Sequence, residues 1–89
     1  MKQIWSALSD TTRREILSML KSQDMTAGDI AKHFDTTAPT ISHHLNVLRE
    51  AGLIESEKKA QVIIYRINAT VFQSFLKTFL ELFDKKGEQ

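Results

Sequence analysis

The stretch of sequence that decides the fold reads TAPTISHHLNVLREAGLI and occupies positions 37–54. Thr37 is a favourable N-cap residue, because its hydroxyl can accept a hydrogen bond from a free backbone N–H of the first helical turn. Pro39 falls within that turn, where its missing N–H costs little. Gly52 follows Ala51, and glycine is the usual residue just past the end of a helix. The stretch therefore predicts a helix that begins after Thr37 and ends at Ala51-Gly52.

This helix has an apolar side and a polar side. At about 100° per residue, Ile41, Leu45 and Leu48 share the side that should face a core, and His44 lies near its edge. Singly, the outward residues are ordinary for the surface of a capped helix. As a set they suit a helix that enters a DNA groove, because short hydroxyls and an imidazole bond to base edges while the backbone lies close. The residues predicted to bind DNA from this helix are Thr37, Ala38, Pro39, Thr40, Ser42, His43 and Asn46.

Three more helices are predicted before this one by apolar residues at helical spacing. The first covers about residues 2–8, and the second runs from its N-cap Asp10 to a polar break at Ser22. The third begins at Thr26, which with Asp29 forms a variant of the capping box, and includes Phe34 on its apolar face. The third helix and the helix that follows Thr37 are therefore two short helices joined by a tight turn.

Strand-forming residues follow the turn at Gly52. Leu53-Ile54 and Val62–Ile67 are rich in β-branched residues and predict a β-hairpin, with the polar run Glu55–Gln61 between them. A final helix over Val71–Phe83 carries a broad apolar stripe. The predicted fold class is mainly α with a small β-hairpin, a winged helix-turn-helix of five helices and a two-stranded wing, in which the hairpin lies along the DNA backbone.

Composition limits the fold and function further. The chain has 89 residues, of which 42% are hydrophobic, so it is expected to form one domain over residues 1–89. It has no cysteine, which excludes disulfides and thiolate metal sites and leaves oligomerisation as a source of added stability. The formal net charge of +1 is weak support for nucleic-acid binding, so positive patches must be local, as at Arg13-Arg14 or Lys58-Lys59. With no signal segment and no membrane-length stretch, a cytoplasmic location is expected.

Enzymatic chemistry finds no support in the sequence. No serine, histidine and acid suggest a triad, and there is no glycine-rich phosphate loop, so we predict no enzyme and no cofactor. Adjacent His43 and His44 point about 100° apart on a helix and cannot chelate one ion together, and His33 is expected on the surface.

Two motifs carry a family resemblance. DTTRREIL at 10–17 resembles the D-x-T-R-x-x-I-L opening of ArsR/SmtB-family repressors, and TISHHLNVLREAGLI at 40–54 resembles that family's reader helix and the turn into its wing. The resemblance covers nearly the whole chain and implies a homodimer, built from the first and last helices, that represses transcription at an inverted-repeat operator near its own promoter. Carried over by position, the family's DNA-reading positions fall on Ala38, Pro39, Ser42 and His43, and its wing falls on Lys58 and Lys59.

The departures from the family pattern bear on regulation. Many members sense metals through a cysteine pair in the third helix or through Asp and His of the last helix. Residues 27–31 have no cysteine and residues 71–84 have no histidine, so the resemblance implies no metal response. In the wing, Ala60-Gln61 stands where the family often has Gly-Arg, which weakens the case for a minor-groove arginine. The short, cysteine-free form is similar to the SdpR-type subgroup of autorepressors, which implies release by a sequestering membrane protein or other protein.

The apolar stripe of the last helix is too wide for one small core, which favours a dimer in which Ile4 and Trp5 pack against the partner's last helix. Two alternatives stay open: a winged-helix module that binds protein, and a repressor gated by an unidentified ligand or protein. A gating ligand would need an internal pocket, for which the chain looks too small. The predicted dimer-interface residues are Ile4, Trp5, Leu8, Phe72, Phe75, Leu76, Phe79, Leu80 and Phe83.

Overall fold

The computed structural model describes the backbone of residues 2–87 and the side chains of residues 3–83. Met1, Glu88 and Gln89, which the predicted domain included, lie outside the described residues. The predicted mainly helical class is confirmed. The elements in chain order are α1 (Lys2–Leu8), α2 (Thr11–Ser22), β1 (Met25–Thr26), α3 (Ala27–Ala31), α4 (Ala38–Glu50), β2 (Ile54–Lys59), β3 (Val62–Ile67) and α5 (Ala69–Gly87).

The sheet has three antiparallel strands in the order β1-β3-β2, one more than the predicted two-stranded wing. Met25 pairs with Tyr65 in the added strand, which is too short to show any alternation of apolar and polar residues. The polar run after Ile54, expected to separate the strands, forms most of β2, and Lys59 pairs with Val62. β2 is an edge strand that extends beyond the core and is solvated on both faces. Its charged residues therefore lack the alternation of apolar and polar side chains by which a strand is predicted.

A single apolar cluster lies between the helices and the inner end of the sheet. The side of α4 predicted to face the core does so, because Ile41, Leu45 and Leu48 are buried. They meet buried residues of every neighbouring element, and this packing fixes α4 against the rest of the domain. The remaining buried hydrophobic residues are Ala7, Ile16, Leu17, Leu20, Met25, Ile30, Leu53 and Ile54.

The helix ends follow the predicted caps. Asp10 accepts a hydrogen bond from the Arg13 backbone N–H at 3.0 Å, and Thr26 forms the capping box with Asp29. Gly52 has a φ of 81°, a conformation that glycine adopts without steric cost, and its N–H donates to Arg49 O at 2.9 Å. α3 ends at Ala31, earlier than predicted, and the half-buried Phe34 packs on the core from the turn that follows.

Candidate nucleic-acid interface

The outward face of α4 is exposed over its whole length. All seven residues predicted to bind DNA from this helix, from Thr37 to Asn46 and called the reader residues below, are exposed, while the core side of the same helix is buried. No acidic residue lies on this face before Glu50, near the end of the helix. A helix held by a buried apolar side thus presents a narrow row of small polar groups, which is the shape that a major groove admits.

The two threonines at the start of α4 bind each other. Thr37 Oγ1 accepts a hydrogen bond from the Thr40 backbone N–H at 3.3 Å, and the two hydroxyl oxygens are 2.9 Å apart. Thr37 therefore acts as the N-cap of α4, and the Thr40 hydroxyl is partly engaged by it. Ser42, His43 and Asn46 are the polar reader residues that remain beyond this cap.

The adjacent histidines have different surroundings. His43 is exposed, whereas the side chain of His44 is only 13% exposed and lies at the edge of the core, as predicted. His44 Nδ1 lies 3.3 Å from Arg13 Nη1. A guanidinium can only donate, so a hydrogen bond here requires Nδ1 of His44 to be the acceptor. Asp10 Oδ2, at 3.9 Å from the same nitrogen, is too far for a hydrogen bond.

Arg13 and Arg14 bind the C-terminal end of α1, a role that sequence reasoning missed. Arg13 donates from Nε to Ala7 O at 2.8 Å and from Nη2 to Ser6 O at 3.1 Å. Arg14 donates from Nη1 to Leu8 O at 2.6 Å. Cations are favourable there, because the last carbonyls of a helix have no partner within it. The paired arginines, considered above as a positive patch, are therefore engaged within the protein.

Asp10, Arg13 and His44 together connect three helices. Arg13 belongs to α2, but its side chain reaches the end of α1 and the imidazole on the inner side of α4. The pKa of the Asp10 carboxyl is lowered, chiefly because the Arg13 backbone N–H donates to it. The spacing of an N-cap acid and an arginine three residues later, directly after a short helix, was the available signal in the sequence.

The wing carries two exposed lysines beside a paired arginine. Lys58 and Lys59 lie at the outer end of β2, and among the described side chains neither forms a salt bridge. Arg66 binds Glu57 at 2.8 Å and Asp24 at 3.4 Å. The hydrogen bond that Arg66 donates to Glu57 is the main reason that the pKa of the Glu57 carboxyl is lowered. Since Arg66 is matched by two acids, Lys58 and Lys59 supply the positive charge at the tip.

Arg49 is a basic neighbour of the reader face that the prediction omitted. Its Nη2 donates to Asn46 Oδ1 at 3.4 Å, one helical turn along the exposed side of α4. The three-residue spacing from His43 through Asn46 to Arg49 could have identified it from the sequence.

The predicted dimer face divides into two parts. Leu76, Leu80 and Phe83 of α5 are at least half exposed. Trp5 is 49% exposed, but its ring meets Phe75 of its own chain edge-to-face, with centroids 5.0 Å apart. Trp5 therefore also packs on the last helix of its own chain, through the rings of Phe75 and Phe79, and its packing against the partner's last helix stays a prediction. Ile4, Leu8 and Phe72 pack partly on their own core, and Phe79 lies next to Trp5.

The described residues contain neither a candidate metal-binding cluster nor a membrane-spanning helix. No group of three or more His, Cys, Asp or Glu side chains is placed to hold a metal ion. None of the helices in this part of the chain combines the length and apolar character needed to cross a membrane.

Comparison with known proteins gives a consistent result. Residues 10–56 match the family model described as bacterial regulatory protein, arsR family. The chain is 48% identical over 85 residues to the transcriptional repressor SdpR of Bacillus subtilis, which covers 96% of this chain and 94% of SdpR. An ArsR-like transcriptional regulator from Rhodococcus superimposes with a TM-score of 0.89 at 31% identity, over 98% of this chain and 80% of that one.

The winged helix-turn-helix fold has its own match. A homodimeric winged helix-turn-helix DNA-binding domain from Mycobacterium bovis superimposes with a TM-score of 0.76, over 99% of this chain and 82% of that one. At 22% identity this likeness concerns the fold alone. The predicted fold class is confirmed by it, and the expectation of a regulator rather than an enzyme agrees with the relatives described above.

Proposed function

This chain belongs to the ArsR family of bacterial regulatory proteins, and from that premise we propose that it is a homodimeric, DNA-binding repressor that controls its own promoter. The observation that carries the proposal is the face of α4, where exposed polar side chains stand opposite the buried Ile41, Leu45 and Leu48. A reader helix needs both properties, because base recognition depends on a fixed backbone position.

Each group on α4 has a distinct role in this proposal. Ser42, His43 and Asn46 bond to base edges in the major groove. Thr37 and Thr40 hold the first turn, whose small Ala38 and Pro39 let the helix approach the DNA closely. We further propose that Arg49 meets a phosphate at the other end of the helix.

The wing contributes affinity rather than base recognition. Lys58 and Lys59 contact the phosphate backbone, which adds salt-dependent binding without sequence preference. The turn between the wing strands carries alanine and glutamine, so no arginine enters the minor groove from this tip.

The dimer forms through α1 and α5. Leu76, Leu80 and Phe83 supply apolar surface that the described part of the chain leaves exposed, and Trp5 extends it onto α1. Two-fold symmetry then repeats α4, so that two reader helices meet an inverted repeat about one DNA turn apart. Ile4, Leu8, Phe72, Phe75 and Phe79 support this face from beneath.

Regulation in this proposal does not use a metal. The third helix has no cysteine, and the last helix has no histidine, at the positions through which other family members sense metals. Autorepression and release by a sequestering protein follow from the likeness to the SdpR-type subgroup. The protein acts in the cytoplasm, where its DNA lies.

A fluorescence anisotropy titration tests the proposal. The protein is titrated against DNA from its own upstream region and against a scrambled duplex, at two salt concentrations, with and without chelator. We expect tight, chelator-insensitive preference for the upstream DNA. His43→Ala should reduce that preference by about 1–3 kcal/mol, whereas Lys58→Gln should mainly reduce the salt slope. The exposed His33→Ala is the matched control and should change neither.

Three outcomes would contradict parts of the proposal. Equal weak binding to both duplexes would contradict autorepression at that promoter. No binding at any salt would favour the alternative, a winged-helix module that binds protein. A loss of DNA affinity in the presence of chelator would contradict the proposal that binding needs no metal.

A further inference from the structure

An open apolar groove runs between α2 and the first turns of α5. Its volume is about 460 Å³, within the range of roughly 300–1,000 Å³ that is typical of small-molecule sites. Leu17, Ile67 and Phe72 supply its apolar surface together with Leu8 from the end of α1. Leu8 and Phe72 also belong to the predicted dimer face, but the exposed α5 residues of that face, Leu76, Leu80 and Phe83, do not line the groove. The expectation that so small a chain has no room for a ligand considered only an internal pocket, and this groove lies on the surface between two helices.

The polar edge of the groove is positively charged. Arg14 and Lys21 line it from positions about two turns apart on α2, and none of the described residues that line it is acidic. Arg14 is held in place, because Nη1 donates to the carbonyl of Leu8, itself a lining residue, at 2.6 Å. A guanidinium has five N–H donors, so donors remain for a second partner. Ser18 and Gln73 add uncharged donors.

We propose that this groove binds an amphipathic carboxylate, with its apolar body between α2 and α5 and its carboxylate at Arg14 and Lys21. An apolar trough alone would accept many molecules, but two cations at one edge select an anionic head. A second copy of the chain is a poor occupant, because a two-fold contact through the groove would bring four like charges into one interface. The proposal does not depend on DNA binding.

Decanoate, used below its micelle-forming concentration, is the probe, and isothermal titration calorimetry of the full chain is the measurement. We expect saturable binding of one decanoate per chain. Octanoate, two methylenes shorter, should bind about tenfold more weakly, since each buried methylene contributes about 0.8 kcal/mol. Decanol should bind several-fold more weakly than decanoate. Equal affinity for decanol and decanoate would overturn the assignment of the carboxylate to Arg14 and Lys21.

Matched variants locate the site. Ser18→Phe fills the groove and should abolish binding, whereas Ser74→Phe adds the same ring at an exposed α5 position that does not line it. Lys21→Gln should weaken decanoate binding about two- to fivefold, the effect of an exposed charge, and leave decanol unchanged. Lys77→Gln on α5 is its control. Circular dichroism confirms that each variant is folded.

Four results would overturn the proposal. One is the absence of decanoate binding to folded wild-type protein, and another is binding that survives Ser18→Phe. A third is equal weakening by Lys21→Gln and Lys77→Gln. The fourth is dissociation of the dimer by Ser18→Phe but not by Ser74→Phe, which would show that the second copy covers the groove.

Discussion

Replacing Arg13 by alanine tests whether this side chain joins α1 to the reader helix. The substitution removes hydrogen bonds to Ala7 O at 2.8 Å and Ser6 O at 3.1 Å, together with the contact to His44 Nδ1 at 3.3 Å. A hydrogen bond to a charged group contributes about 1.5–3 kcal/mol when well shielded and less when exposed. Only the first and third contacts are partly buried, so we expect a loss of about 2 kcal/mol.

Arg14 provides the matched control. It also donates to the end of α1, but its contacts, to Leu8 O and Thr11 Oγ1, are exposed and do not reach α4. We expect Arg14→Ala to cost less than half as much as Arg13→Ala. At about 4–8 °C per kcal/mol for a domain of this size, Arg13→Ala should lower the melting temperature by roughly 10 °C.

Thermal unfolding followed by circular dichroism, at one fixed protein concentration, measures both losses. A second readout separates orientation from stability: well below the melting temperature, Arg13→Ala should still weaken specific DNA binding, and Arg14→Ala should not. Equal melting temperatures for the two variants would refute the reasoning. Unchanged DNA affinity of folded Arg13→Ala protein would refute the link to α4 while leaving the contribution to stability intact.

Three further predictions address single features. Ala60 at the wing tip has a φ of 55°, a conformation that costs L-residues about 1–2 kcal/mol. Ala60→Gly should therefore raise the free energy of unfolding, measured by denaturant titration, by about 0.5–1 kcal/mol. A decrease would contradict backbone strain at this position. Folding lowers the pKa of Asp10 below its usual 3.8, so the stability that this carboxylate adds is present above pH 3.8 and disappears as pH falls through the lowered value. Asp10→Asn should therefore reduce the fall in melting temperature at acidic pH. An unchanged fall would contradict this role of Asp10. Leu80, half exposed on α5, should tolerate Leu80→Glu in the folded chain, yet sedimentation should show monomer, whereas retention of the dimer would exclude this stripe from the interface.

Sequence reasoning succeeded where one short segment carries several independent signals. For α4, the cap at Thr37, the apolar spacing of Ile41, Leu45 and Leu48, and the glycine past its end all indicate the same helix. Each signal is local in sequence, so the bounds and the buried side of α4 could be predicted. The exposed reader residues follow from those two facts.

The missed features depend on contacts between distant positions. Met25 becomes a strand residue only because Tyr65 lies beside it, and two residues show no periodicity. Arg13 looked like a surface cation because its partners, the carbonyls of α1 and the His44 ring, are brought near it by tertiary packing. The contact of Trp5 with its own Phe75 depends in the same way on where α5 lies after the wing.

The arrangement of the sheet also has a consequence for aggregation. Beyond the short β1, whose pairing reaches only Ile64, the outer end of β3 has one strand edge without a partner in the described chain, at the exposed Val62 and Ile63. Open edges with β-branched residues can recruit strands from other molecules, and lysines are a common protection against this. Lys58 and Lys59 stand opposite those two residues in the register. Besides their proposed contact with phosphate, these lysines place like charges one strand away from that edge, which opposes the approach of a second wing.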